Sequence, residues 1–359
     1  MITLEKKGPI AILTLNRPDA MNALGEPGDG EAVRDVCAQI NADKSLRCAI
    51  LTGAGKGFSA GGNVKAMRDR VGSFAGSPAE VRDNYKNGVH MIVRALYNLE
   101  IPLIAAVNGA AVGLGCDVAC MADIRISSDN AKYGVTFLKL GLIPGDGGAW
   151  LLPRVIGMSR ACELLFTGNL IDAKTAQEWG LVSKVVPGDQ LMTEAMALAT
   201  SIAKQPSQSL RVAKQLLRHG TQANYDTIME MSAAAQGLMH HTKDHEEGVA
   251  AILEKREPVF KGESGETEKL FAFSIAAFTS SGRSASITAC LRASNSSPIS
   301  FAIAAGTTFF AAGKKSRSSS FMWCSTSSQS ALNFMPHSSE STGKVSSSSN
   351  TPLAMWCSL

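Results

Sequence analysis

Two glycine-rich stretches carry the strongest chemical signal in this sequence, GAGKGFSAGGN at residues 53–63 and NGAAVGLG at 108–115. Each follows a short apolar run and precedes a helical pattern, so each reads as a turn between a buried strand and a helix start. Glycine lets a backbone turn tightly and approach a ligand, and the first N–H groups of a helix have no partner within it. Those N–H groups and the helix dipole attract negative charge. One such junction can hold a phosphate. Two converging on one point make an oxyanion hole, a pair of donors for an oxygen that gains charge in a transition state. The nucleotide-binding alternatives fail on detail. GAGKGFS lacks the GxxxxGK spacing followed by Ser or Thr, and the run from Gly113 to Val118 breaks the GxGxxG pattern. Glycines serving only turns and close packing remain the plain alternative for either stretch alone.

Other reactive side chains offer less. His241 and His245 stand four apart beside His240 and Asp244, but zinc needs two more ligands and there is no HExxH, so no metal is expected. Cys116 and Cys120 lie one helical turn apart and read as buried core thiols. Ser59 sits outside a GxSxG elbow, which argues against a serine hydrolase.

The elements that must position these stretches follow from the apolar pattern. Residues 10–15 form a short apolar run closed by Asn16-Arg17-Pro18-Asp19, a turn signature. A helix is expected over 30–40, a buried strand over 48–52, and a short helix from Val64. A longer helix is expected over 78–99, with Val81, Tyr85, Val89, Ile92, Val93 and Leu96 at helical spacing. Strands over 103–107 and 124–127 flank a short helix ending at Met121, and from Ser159 onward nearly everything reads as helix. Strands alternating with helices and followed by a helical end predict an α/β fold.

Composition bounds the rest. The chain has 359 residues, 45% apolar and 18% charged, enough for two domains. From Ser264 the character changes: 26 of the last 96 residues are Ser, with no Tyr and no Asp. That tail carries 7 Lys+Arg against 3 Asp+Glu, of 35 and 31 in all, so residues before it hold 28 of each and are neutral. A clustered basic footprint for nucleic acid is not present. The tail reads as low-complexity sequence without a folded domain, the product of a reading-frame slip or readthrough. Its apolar stretch at 299–312 is too short to span a membrane. No two of the 8 Cys form a CxxC pair, and the first residues lack a signal layout, so a reduced, cytoplasmic setting is expected.

Several ordered motifs then agree. FSAGGNVKAM, AAVNGAAVGLGCDVACMADIRISS and GLIPGDGGAWLLPRVIG resemble the crotonase (enoyl-CoA hydratase/isomerase) superfamily. LNRPDAMNAL, AKTAQEWGLVSKVVP and EGVAAILEKREPVFKG stand at that family's expected places, so the resemblance covers residues 1–262. It implies a crotonase-like ββα spiral core over 1–200 and a helical trimerisation region over 201–262, assembled as a homotrimer or dimer of trimers. It implies acyl-CoA thioester substrates and a thioester enolate, with coenzyme A part of the substrate and no separate cofactor.

Residue by residue, the resemblance makes the backbone N–H groups of Gly62 and Leu114 the oxyanion donors. Leu114 replaces the usual glycine, which a backbone donor survives provided its φ stays negative. Lys56 and Lys65 match lysines facing the CoA phosphates, Ala23 and Ala60 lie on segments lining the adenine side, and Phe260 and Lys261 match positions that reach a neighbouring subunit's CoA. The first acid/base slot holds Asp117, shorter than the hydratase Glu. The second holds Phe137, which excludes water and lines an acyl pocket but transfers no proton. Some isomerases of the family place Asp at the position of Gly145; here Asp146 follows one residue later as the second candidate. This set favours double-bond isomerisation with Asp117 as acid/base. The alternatives are water addition to a trans-2-enoyl-CoA and a non-catalytic CoA-ester-binding module.

Overall fold

The computed structural model describes residues 1–262, so the expectations for the tail lie outside the described residues. The strands are β1 (Ile2–Lys7), β2 (Ile10–Leu15), β3 (Cys48–Gly53), β4 (Leu103–Val107), β5 (Ala111–Val112), β6 (Ile124–Ser128), β7 (Lys132–Gly134), β8 (Leu170–Asp172) and β9 (Lys184–Val186). The helices of the first half are α1 (Asp29–Ala42), α2 (Val64–Asp69), α3 (Pro78–Asn87), α4 (Val89–Tyr97) and α5 (Leu114–Met121). Those of the second half are α6 (Gly148–Ile156), α7 (Met158–Thr167), α8 (Ala173–Glu178), α9 (Leu191–Ala203), α10 (Ser207–Gly220), α11 (Tyr225–Met239) and α12 (Lys243–Glu254).

Six strands form one sheet in the order β1-β2-β3-β4-β6-β9, parallel except for the β1–β2 hairpin. β5, β7 and β8 form a second, smaller sheet. Every residue of β3 and β4 is buried, as expected of central parallel strands covered on both faces. Because side chains alternate, Ala49, Leu51, Leu103, Ala105 and Val107 feed one core, shared with α1, α4 and α5. Cys48, Ile50, Ile104 and Ala106 feed another, closed by Leu191, Ala195, Ala199 and Ala203 along one face of α9.

Three expectations are corrected. The helix expected over 78–99 is two helices, broken at Gly88 (φ −117°, ψ −91°). The halves have different surroundings: α4 buries Val89, Ile92, Val93 and Leu96, whereas α3 buries no residue and is held by a Ser77–Glu80 capping box. The region after Ser159 is not wholly helical, since β8 pairs with β7 and β9 extends the large sheet. Three-residue strands are too short to show a period of two. His241 and His245 do not share a helix, because Thr242 caps the start of α12 between them, accepting from the His245 N–H at 3.2 Å. Among the described residues no group of three His, Cys, Asp or Glu is placed to hold a metal.

The helices after residue 200 are tied to the core by one cationic face of α10. Arg211, Lys214 and Arg218 fall on that face by spacing. Arg211 meets Glu100 at 2.6 Å, and Lys214 and Arg218 both meet Asp123 at 2.7 Å. Asp123 also accepts from the Leu103 N–H at 2.8 Å, so one carboxylate joins α10 to the start of β4. Lys214 is buried, and removing its partner strands a charge. Asp123→Ala is therefore expected to cost about 3–5 kcal/mol, measurable as a lower urea midpoint; a loss under about 1 kcal/mol would mean the pair behaves as a surface ion pair.

Candidate active site

Both glycine-rich loops leave the C-terminal ends of adjacent parallel strands, 54–63 after β3 and 108–113 after β4. They pair with each other: the Ser59 N–H donates to Ala110 O at 2.9 Å and the Val112 N–H to Ser59 O at 3.0 Å. This close approach explains the small residues. A Cβ on Gly109 would strike Lys56 O, and one on Gly115 would strike Ser59 O. At Gly61 (φ +87°) a Cβ would fall 2.6 Å from Val112 O and 3.2 Å from Leu114 N, which places the first loop against the start of α5. Gly113 takes the positive φ, +54°, and Leu114 does not share it, so the leucine is unstrained.

Leu114 is the first residue of α5, so its N–H has no acceptor within that helix. Among the described residues, neither it nor the Gly62 N–H is paired with a backbone or side-chain acceptor. Gly62 is held in extended form against Leu24, whose N–H donates to Gly61 O at 2.8 Å. The segment carrying Ala23 is fixed in turn by Arg17, which donates to Ala23 O at 2.8 Å and clamps Asp29. Ser59 is fully buried and its hydroxyl donates to Asn22 O at 2.8 Å, a structural use. Asn63 caps α2 by accepting from the Ala66 N–H.

The two carboxyls come together beside these loops. Asp117, in the first turn of α5, is 0% exposed; its Oδ2 accepts from the Gly148 N–H at 3.1 Å, and its Oδ1 has no partner among the described residues. Gly148 is required here because a Cβ would overlap that carboxyl group. Burial pushes the Asp117 carboxyl well above the usual carboxylate range, the neighbouring Cys120 and Asp146 add to this, and the Gly148 N–H opposes it. Asp146 is 4% exposed, and burial pushes it up to about 6. Both carboxyls hold a proton more tightly than an exposed aspartate does, and Asp146 is largely ionised at neutral pH. The one-residue offset of Asp146 in the GDGG turn thus does not send it to solvent.

Phe137 is 9% exposed and opens a short 3-10 turn, Phe137–Leu140. Its ring lies 3.9 Å from where a Gly113 Cβ would stand, beside the approach to Leu114. Lys56, Ala60 and Lys65 are exposed on and after the first loop. Phe260 and Lys261 are not brought to this place within the chain. Arg47, just before β3, donates to Phe260 O at 2.6 Å, and the Lys261 N–H donates to Asp244, so both residues lie at the opposite end of the sheet.

Two neighbours of Asp146 did not stand out as site residues in the sequence. Tyr85 was legible only as an apolar position on a helix, and its ring lies 3.7 Å from where a Gly145 Cβ would stand. His90 lies 2.9 Å from Gly145 O through Nε2. Neither belongs to a motif; only the fold brings them to the turn.

The α/β fold thus joins two loops bearing unpaired N–H groups and sets two buried carboxyls beside them. The family described as enoyl-CoA hydratase/isomerase matches residues 5–263. The 1,2-epoxyphenylacetyl-CoA isomerase of Escherichia coli (strain K12) is 38% identical over 253 residues, covering 70% of this chain and 95% of that protein. Crotonyl-CoA hydratase of Syntrophomonas wolfei is 38% identical over 260 residues, covering 72% and 97%. The crystal structure of an enoyl-CoA hydratase from Bacillus anthracis is similar with a TM-score of 0.68 at 35% identity, covering 73% of this chain and 99% of its own. The chain belongs to the enoyl-CoA hydratase/isomerase family, and residues 1–262 are a crotonase-type enzyme of α/β fold.

Proposed function

We propose that the protein moves the double bond of an enoyl-CoA thioester through an enolate. The Gly62 and Leu114 N–H groups hold the thioester oxygen as it gains charge. Ionised Asp146 takes a proton from the carbon beside the carbonyl, and protonated Asp117 gives one to the carbon two bonds further on. The proton then passes from Asp146 to Asp117 and restores the pair, so nothing is gained or lost and no cofactor is needed. The observation that carries this reading is Phe137: where a hydratase of the family has a second glutamate, an apolar ring stands beside Gly113. Water addition needs an activated water near Asp117, and an apolar wall works against holding one. Hydration stays the second reading because crotonyl-CoA hydratase is as similar as the isomerase.

Lys56 and Lys65 hold the CoA phosphates and Ala23 and Ala60 border the adenine. Self-association as a trimer or dimer of trimers, with 201–262 as the assembling region, is supported by the exposed Leu217, Tyr225, Ile252 and Leu253 of α10–α12. Phe260 and Lys261 then serve a neighbouring subunit's CoA.

The full chain incubated with a 3-enoyl-CoA in heavy water tests the reading. The expected product keeps its skeleton, has a shifted double bond and takes up deuterium. A product heavier by one water establishes hydration instead, and binding without any product establishes a non-catalytic CoA-ester module.

A further inference from the structure

The turn that carries Asp146 is tied down at both ends. On one side the Gly148 N–H donates to Asp117, and on the other Gly145 O meets His90 Nε2 at 2.9 Å. A carbonyl oxygen only accepts, so Nε2 carries the hydrogen. Between the ties the turn is tight: the Gly145 N–H donates to Ile143 O at 2.8 Å and Gly147 adopts φ +95°. His90 is itself braced. It stands in the first turn of α4, directly after the break at Gly88, and Tyr85 of α3 meets its ring edge-on at 6.3 Å. The helix break separates Tyr85 and His90 onto two helices that both meet the turn at Gly145.

We infer that His90 is a positioning residue for proton transfer, its Nε2–H holding the Gly145 carbonyl so that Asp146 stays buried beside Asp117. The groups facing Asp146 are then Asp117 from α5, Tyr85 from α3 and His90 from α4. Gly147 O stays fixed by the Trp150 and Leu151 N–H groups of α6, but without the His90 tie the Gly145 carbonyl before Asp146 has lost its donor, and Asp146 gains freedom to swing toward water. A carboxylate displaced by about 1 Å loses up to 100-fold in rate, and hydration lets it titrate nearer an ordinary aspartate.

This inference rests on the proposed proton-transfer role for its kinetic arm, but its structural arm needs no substrate. The test compares the full-length protein with His90→Phe, which removes the donor, and His90→Gln, whose side-chain amide supplies one at a similar reach. Hydrogen exchange read by mass spectrometry is expected to rise in the 143–150 segment of H90F and to return toward the unmodified rate in H90Q. In the same series kcat falls about 10–100-fold in H90F with CoA-ester affinity unchanged, the acid limb of its pH profile moves downward, and H90Q recovers both. Equal exchange in H90F and the unmodified protein overturns the proposal, as does an H90Q variant as impaired as H90F. If the unmodified protein turns over no enoyl-CoA, the proposed function falls and exchange alone still decides the role of His90.

Discussion

Asp117→Asn is expected to lower isomerisation of a 3-enoyl-CoA by about 100- to 10,000-fold while thioester affinity changes by no more than a few-fold. The asparagine keeps the shape of the site: its amide oxygen accepts from the Gly148 N–H as Asp117 Oδ2 does now, and its NH2 takes the place of the unpartnered Oδ1. The oxyanion donors are backbone groups of other residues and stay in place. What disappears is the exchangeable proton of a carboxyl whose proton affinity burial raises well above the usual carboxylate range. The variant also separates the two carboxyls. Asp146 can still take and return the proton beside the carbonyl, so exchange of that hydrogen with heavy water persists without migration of the double bond. Turnover at the unmodified rate would remove Asp117 from the mechanism and leave it as a buried partner for Gly148.

The parts of this site that were legible in the sequence are those whose requirement is local. Gly61 and Gly113 take a positive φ, so both loops announce themselves as turns, whereas the reason Gly109 and Gly115 admit no Cβ, the backbone of the other loop at Lys56 and Ser59, is not local. Asp117 was legible as an acid in a first helical turn, but its burial was not, because the lid on its carboxyl is Gly148, 31 residues away. For Asp146 the distance matters more: the GDGG spacing describes a turn, and the groups that meet it, Asp117 at Gly148 and His90 at Gly145, lie about thirty and more than fifty residues upstream. The break at Gly88 was hidden for the opposite reason. Tyr85 and Val89 keep a four-residue spacing across it, so the apolar period runs on although the backbone does not. His241 and His245 show the same trap, a helical spacing interrupted by the Thr242 cap.

Asp146→Asn is expected to abolish most turnover and at the same time to stabilise the fold at pH 8. In the folded protein burial raises this carboxyl to about 6, whereas in the unfolded chain it titrates near 3.9. The folded state thus binds the proton more tightly, and the stability this brings is present at low pH and lost as pH rises from about 4 through about 6. Above that window the unmodified protein carries a buried negative charge, and the neutral asparagine relieves on the order of 1–3 kcal/mol. The advantage should vanish near pH 4, where both side chains are neutral. Activity runs the other way: a base that ionises near 6 makes kcat/KM fall about tenfold for each pH unit below that value, and the asparagine variant has no such limb. A carboxylate kept for structure would lose stability on replacement, and one kept for catalysis gains it, so urea midpoints at pH 4 and pH 8 separate the two. A D146N protein less stable than the unmodified one at pH 8, with activity retained, would place Asp146 in the scaffold and return the proton chemistry to Asp117 alone.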